Sequence, residues 1–157
     1  MIDLIELSEY DFWANGEVID CLSRSDLPEN KPLKIMSHVI NAYGLWFERI
    51  EKSKHNSGVW DIHLPEILKS KNQEYEKTFR KILNEIKSDP EMQTVYVNTS
   101  GEKFASYTKD ILMHLIIHSS YHRGQVIQLL SSYGLEIPYI DYIHYKRKIK
   151  NRISKNE

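Results

Sequence analysis

Apolar residues recur at three- and four-residue spacing along four long stretches of this chain. That periodicity constrains it to helices packed side by side. The first stretch runs from about Leu4 to Leu22, with Leu4, Leu7, Tyr10 or Asp11, Ala14 and Val18 toward one side. A polar loop from Ser23 to Lys31, containing Pro28, separates it from the second, which should reach about Lys52. Asn30 is placed to cap that second helix. Pro32 falls in its first turn, where a missing N–H costs nothing. Its stripe is Met36, Val39, Ile40, Tyr43, Trp46, Phe47 and Ile50, and Gly44 within it weakens the helix slightly. The third stretch starts near Pro65 and ends by Asp89, before Pro90. It carries Ile67 or Leu68, Tyr75, Phe79, Ile82, Leu83 and Ile86 on one face and Glu and Lys opposite. The fourth runs from about Thr108 to Tyr133 and stops at Gly134, a natural residue just past a helix end.

The intervening segments differ in character. Ser53 to Leu64 reads as a connector, with Asn-Ser-Gly at 56–58. Residues 94–106 alternate, turn through Asn-Thr-Ser-Gly and alternate again, which predicts a small β-hairpin. Two strands alone are marginal in water, so the hairpin should decorate the helical body. After Pro138, Tyr139 to Ile153 predicts a last, basic helix. No repeat, low-complexity tract or linker interrupts the chain. Its 157 residues suit a single domain over 1–157 that buries about 70% of its unfolded surface.

Composition excludes several classes. Lys and Arg number 21 against 22 Asp and Glu, a net charge of −1, which argues against a protein that tracks nucleic-acid phosphates. The tail from Tyr145 to Lys155 is rich in Lys and Arg, but a solvated helical face explains it better. No stretch nears the roughly 20 apolar residues of a membrane-spanning helix. The acidic start, MIDLIELSEYDFW, lacks a basic region and a long apolar core, so no secretory leader is expected. One cysteine, Cys21, allows no disulfide framework or thiolate cluster within a chain and is compatible with a cytoplasmic location. Seven histidines are the remaining oddity, so any metal site must be built mostly of imidazole and carboxylate.

The histidines concentrate on the fourth helix, DILMHLIIHSSYHRGQVIQLLSSYG, where His114, His118 and His122 follow one another at intervals of four. Each such step turns the helix face by only about 40°. On a helical wheel Ile111, Leu115, His118, Val126, Leu129 and Tyr133 all fall within about 40° of His122, whereas His114 lies about 80° away. His118 and His122 thus interrupt the centre of an apolar seam, where an unpaired polar group costs on the order of 1–3 kcal/mol. Two imidazoles one turn apart can share a metal ion; hydrogen bonds to a carbonyl, a Tyr or a carboxylate are the plainer solution. His114 reads as a rim residue. A third ligand must come from another helix, and His38 is the best placed, although its position beside Ile35, Ala42 and Arg49 suits a surface histidine equally. His55, His63 and His144 receive no role. Arg123, about 100° from His122, reads as an ion pair at the surface or an interface. Gln125 lies nearer the ligand face and can orient His122.

Three motifs resemble the DinB/YfiT-like family of bacterial bundle proteins. They are Tyr10-Asp-Phe-Trp-Ala-Asn15, His38-Val-Ile-Asn-Ala-Tyr-Gly-Leu-Trp46 and His118-Ser-Ser-Tyr-His122-Arg-Gly-Gln125. Gly134, Pro138 and Asp141-Tyr142 downstream fit as well. The resemblance implies an all-α fold: an up-down-down-up-type four-helix bundle with a small β-hairpin insertion and a short C-terminal helix. It implies a divalent metal, zinc or nickel, held by His38, His118 and His122. It also implies a homodimer and, in related branches, low-molecular-weight thiols such as bacillithiol or mycothiol as cosubstrates. Asn15 and Asp141 join Gln125 as candidates to support the ligands.

Three neutral imidazoles leave an open coordination position for water or substrate. The expected function is that of a cytoplasmic, metal-dependent thiol S-transferase or hydrolase acting on a small electrophile, with no nucleic acid or membrane partner. The alternative is a non-catalytic, metal-stabilised homodimer made under stress. The catalytic residues and the native metal are left unassigned.

Overall fold

A computed structural model describes residues 3–27, 29–53, 58–98 and 100–153, with residues 150–153 described by backbone alone. Pro28, the Asn-Ser pair at 56–57, His55, Thr99 of the expected turn and the tail beyond 153 lie outside the described residues. The elements are α1 (Leu4–Arg24), α2 (Lys31–Glu51), α3 (Pro65–Ser88), β1 (Gln93–Val97), β2 (Lys103–Tyr107), α4 (Thr108–Ser132) and α5 (Tyr142–Ile153). The first four predicted helices and the hairpin therefore form where the periodicity places them.

Local chemistry explains the boundaries. Asp3 accepts the Ile5 N–H at 2.9 Å and so caps α1, and Glu6 suits the positive end of its dipole. Pro32 and Pro65 sit in the first turns of α2 and α3. Asn30 does occupy the cap position of α2, but its side chain makes no capping bond. Gly134 takes φ 72° just past α4, the left-handed geometry that a glycine reaches without Cβ strain. The last helix starts at Tyr142, three residues later than the sequence suggests. The stretch after Pro138 stays outside any helix until the Asp141 carbonyl accepts the Tyr145 N–H at 3.0 Å.

Cross-helix pairs fix the directions. Lys69 meets Asp20 at 2.7 Å and Arg80 meets Glu9 at 3.0 Å, so α3 runs antiparallel to α1. His38 lies against His118, and Trp46 against His114, so α4 runs antiparallel to α2. The His63 N–H at the head of α3 bonds Ser37, and Lys81 further along pairs with Glu51, so α2 and α3 are parallel. Ser119 bonds Asn15, and Cys21 bonds the Glu136 carbonyl just past α4, so α1 and α4 are parallel. The result is an up-down-down-up four-helix bundle in which α1 packs mainly on α3 and α2 mainly on α4.

The core is apolar and aromatic. Phe12, Tyr43, Phe47, Tyr75 and Phe79 form a chain of tilted and edge-on ring contacts. Met36, Val39, Ile40, Leu68, Leu112, Leu115 and Leu130 are fully buried around them. Of the pair Ile67 or Leu68, Leu68 faces inward and Ile67 is exposed. The antiparallel hairpin pairs Val95 with Ala105 and docks on α2 through Tyr96, whose ring meets Trp46 at 4.8 Å. Trp46 is therefore only partly buried, at the hairpin side of the bundle. On the opposite side α5 covers α1, with Tyr145 packed on Trp13 at 5.1 Å and on Tyr10 at 5.6 Å. Two of the tail's basic residues pair with α1 acids, Lys146 with Glu6 and Lys148 with Glu17. Among the described residues, no helix is long and apolar enough to cross a membrane.

Candidate metal centre

His38, His118 and His122 converge. One ring nitrogen from each lies within 4.8 Å of the others. The α2–α4 packing brings this about. His118 and His122 are one turn apart on the face of α4 that meets α2, with ring centroids 4.5 Å apart. His38, in the first half of antiparallel α2, enters between them, 4.9 Å from His118 and 4.8 Å from His122 by ring centroid. His38 is buried while the other two remain half-buried, so the cluster is reached from solvent.

The hydrogen bonds around the cluster orient the rings. His38 Nδ1 lies 3.1 Å from the Val59 carbonyl, which can only accept, so that nitrogen carries the proton and Nε2 presents its lone pair inward. His122 Nδ1 lies 2.9 Å from Gln125 Oε1, which does the same for His122. His38 Nε2 and His118 Nε2 are 3.1 Å apart. Two lone pairs would repel at that distance, so in the metal-free protein His118 Nε2–H donates to His38. Burial, and then repulsion from the other imidazoles, pushes the His118 pKa down to about 4. Burial also lowers that of His38, with the Val59 carbonyl opposing and His122 adding to the effect. Both rings are therefore neutral at pH 7, the form that ligates metals.

The donor set fits a divalent transition metal. Imidazole nitrogens bind zinc at about 2.0–2.1 Å, which puts two nitrogens on one tetrahedral ion about 3.3–3.4 Å apart. The 3.1 Å between His38 and His118 is close to that value. A separation as wide as 4.8 Å would have to close by about 1.4 Å, within reach of a half-buried side chain. Imidazole ligands suit zinc, nickel, copper and iron over magnesium or calcium.

The remaining predicted residues separate. Gln125 supports His122 directly. Asn15 is buried on α1, bonded to Asp11, Ser119 and Arg123. Asp141 precedes α5, its carbonyl accepting the Tyr145 N–H, and its carboxylate accepts from the Tyr139 hydroxyl. Neither bonds the three imidazoles. His114 is exposed, its ring centroid 5.7 Å from His118 and 6.0 Å from Trp46. His144 packs against Tyr139 and Trp13. Cys21 is buried beside Ser25 and donates to the Glu136 carbonyl, outside the imidazole group.

Arg123 makes the expected ion pair, but in the core and not at the surface. It is 1% exposed, and its guanidinium reaches Asp11 Oδ1 at 2.6 Å, Asn15 Oδ1 at 2.8 Å and Ser119 Oγ at 3.0 Å. The other Asp11 oxygen accepts from the Tyr43 hydroxyl at 2.7 Å. The same 100° that takes Arg123 away from His122 points it into the α1 interface. Ser119 and Arg123 thus form a buried polar layer directly behind His118 and His122.

Trp60 and Val59 carry no signal in the sequence beyond a tryptophan in a polar connector. The Trp60 ring stacks on His38 at 3.8 Å between centroids and 9° between planes, although the residue is 51% exposed. A cavity of about 480 Å³ is lined by Glu17, Cys21, Arg24 and residues 135–138 rather than by the imidazoles. An open cleft of about 240 Å³, lined by Trp46, Tyr96, Asp110 and His114, lies one helical turn from His118.

Comparison with known protein families matches residues 31–153 to the DinB family. This chain belongs to the DinB family. The matched span covers α2 through α5, and so includes all three converging histidines, but leaves out α1. Searches among curated proteins and among solved structures gave no match.

Proposed function

We propose that this DinB-family chain binds one divalent metal ion, zinc or nickel, through His38, His118 and His122. The convergence of three imidazole nitrogens from two helices carries the reading. A fourth coordination position is left for a small molecule. A divalent ion there supplies Lewis acidity, which activates a water for hydrolysis or a small-molecule thiol for attack on an electrophile. The chain's own residues orient two of the three rings, His38 through the Val59 carbonyl and His122 through Gln125. The reaction proposed is thiol S-transfer or hydrolysis on a small electrophile in the cytoplasm, by a homodimer. With Cys21 bonded elsewhere, the thiol is a cosubstrate of low molecular weight.

Metal analysis of protein purified without an affinity tag tests the centre. About one ion per chain is expected in the native protein and none in His118→Ala; less than one ion for every three chains overturns the reading. Conjugation of simple electrophiles with bacillithiol or glutathione, and their hydrolysis without thiol, then test the chemistry. Turnover that survives His118→Ala unchanged rules out a metal-centred reaction.

A further inference from the structure

Residues 58–64 cross the face of α2 that carries His38, and they are clamped there. Asn41, fully buried one turn after His38, donates through Nδ2 to the Asp61 carbonyl at 2.8 Å. Its Oδ1 accepts from His63 Nε2 at 2.8 Å. The His63 N–H donates to Ser37 Oγ, also fully buried, at 3.1 Å. The segment closes on itself as well, with the Asp61 N–H bonded to the Gly58 carbonyl at 3.0 Å and the Gly58 N–H to Asp61 Oδ2 at 2.7 Å. Between these anchors stand Val59, whose carbonyl takes the His38 Nδ1 proton, and Trp60, whose ring lies flat on the His38 imidazole.

A neutral imidazole ligates through the nitrogen that lacks the proton. If the Val59 carbonyl moved away, the His38 proton would be free to occupy Nε2, the nitrogen that faces the cluster. A single buried amide fixes the connector at two points just beyond that carbonyl, the Asp61 carbonyl and the His63 ring. We propose that Asn41 is a positioning residue for the metal centre: by clamping residues 58–64 to α2 it holds His38 as the Nδ1–H tautomer with Nε2 open to the ion. This deepens the reading of the histidine cluster as a metal centre and rests on it for the effect on affinity. The tautomer itself is a property of the metal-free protein.

The test is nitrogen-15 NMR of the imidazoles in the metal-free chain, paired with zinc affinity by chelator competition. Wild type should show His38 protonated at Nδ1. Asn41→Ala should lose that preference and weaken zinc binding about 10–100-fold, the usual cost of removing an outer hydrogen bond. Because Asn41 is buried, His63→Phe provides a variant outside the core, with the same two losses expected. His63→Gln, which keeps a donor for Asn41 Oδ1, should restore both. Wild-type His38 protonated at Nε2 overturns the proposal. So does a folded Asn41→Ala or His63→Phe protein with wild-type tautomer and zinc affinity. A chain that takes up no zinc but shows the Nδ1–H tautomer in wild type and loses it in Asn41→Ala refutes the metal reading while upholding the clamp.

Discussion

Individual side chains carry both the chemistry and much of the risk to stability. The imidazoles of His38 and His118 are neutral because burial and mutual repulsion disfavour their charged forms. In the unfolded chain they return to ordinary values near 6.5. A folded-state pKa below the unfolded one gives stability that is present above about pH 6.5 and is lost as pH falls toward the folded value. The metal-free protein should therefore show a lower urea midpoint at pH 5 than at pH 7.5, with a smaller drop in His118→Gln. Arg123 poses the opposite problem, a charge that must stay charged. Burial alone would lower its pKa, and the Asp11 carboxylate more than offsets that. Asp11→Ala would leave a buried cation without its partner, at a cost of about 3–5 kcal/mol. Chemical denaturation should show that loss, and the double variant Asp11→Ala/Arg123→Met should lose less than Asp11→Ala alone. An ion pair was expected of Arg123, but neither its partner nor its depth was legible in the residue names. A wheel angle gives the direction Arg123 leaves α4, and only the position of α1 turns that direction into burial.

At the scale of elements, α4 performs two tasks on two faces. Its His118–His122 edge meets α2, while Ser119 and Arg123, one residue further on, meet α1. A helix can do this because successive residues diverge by about 100°. Gly124, between these functions, is exposed, and a Cβ there would meet nothing within 4 Å. Its only contribution is backbone freedom lost on folding, so Gly124→Ala should stabilise the fold by about 0.5–1 kcal/mol. Thermal denaturation should register the gain, with metal content unchanged. The elements were the most legible part of the sequence, because a 3.6-residue apolar period and proline or glycine boundaries are local signals. Where α5 begins was less so. The first residues after Pro138 have helical composition but lie outside the helix, and Tyr10 bonds the Ile140 carbonyl at 2.9 Å before the helix starts.

For the whole molecule, the proposed ion joins α2 to α4, two helices far apart in sequence whose packing sets the bundle. A ligand that binds only the folded state stabilises it by mass action, by about 2.7 kcal/mol at a free concentration a hundred times its dissociation constant. Chelator treatment should therefore lower the melting temperature of the wild type, and added zinc should restore it. His38→Ala should melt at one temperature with or without chelator. The sequence by itself determined the helices, the hairpin, the pairing of His118 with His122 on one seam, and membership of a family whose motifs lie in order along the chain. These rest on local periodicity and spacing, which one strand of sequence contains in full. The tertiary structure alone decided the rest. It seated His38, which the family resemblance named and helical phase left open, between the two α4 imidazoles, buried the Arg123 ion pair on Asp11, and laid Val59 and Trp60 on His38. Each of these is a contact between segments distant along the chain, set by how helix faces pack, and a backbone carbonyl such as that of Val59 has no letter in a sequence to announce it.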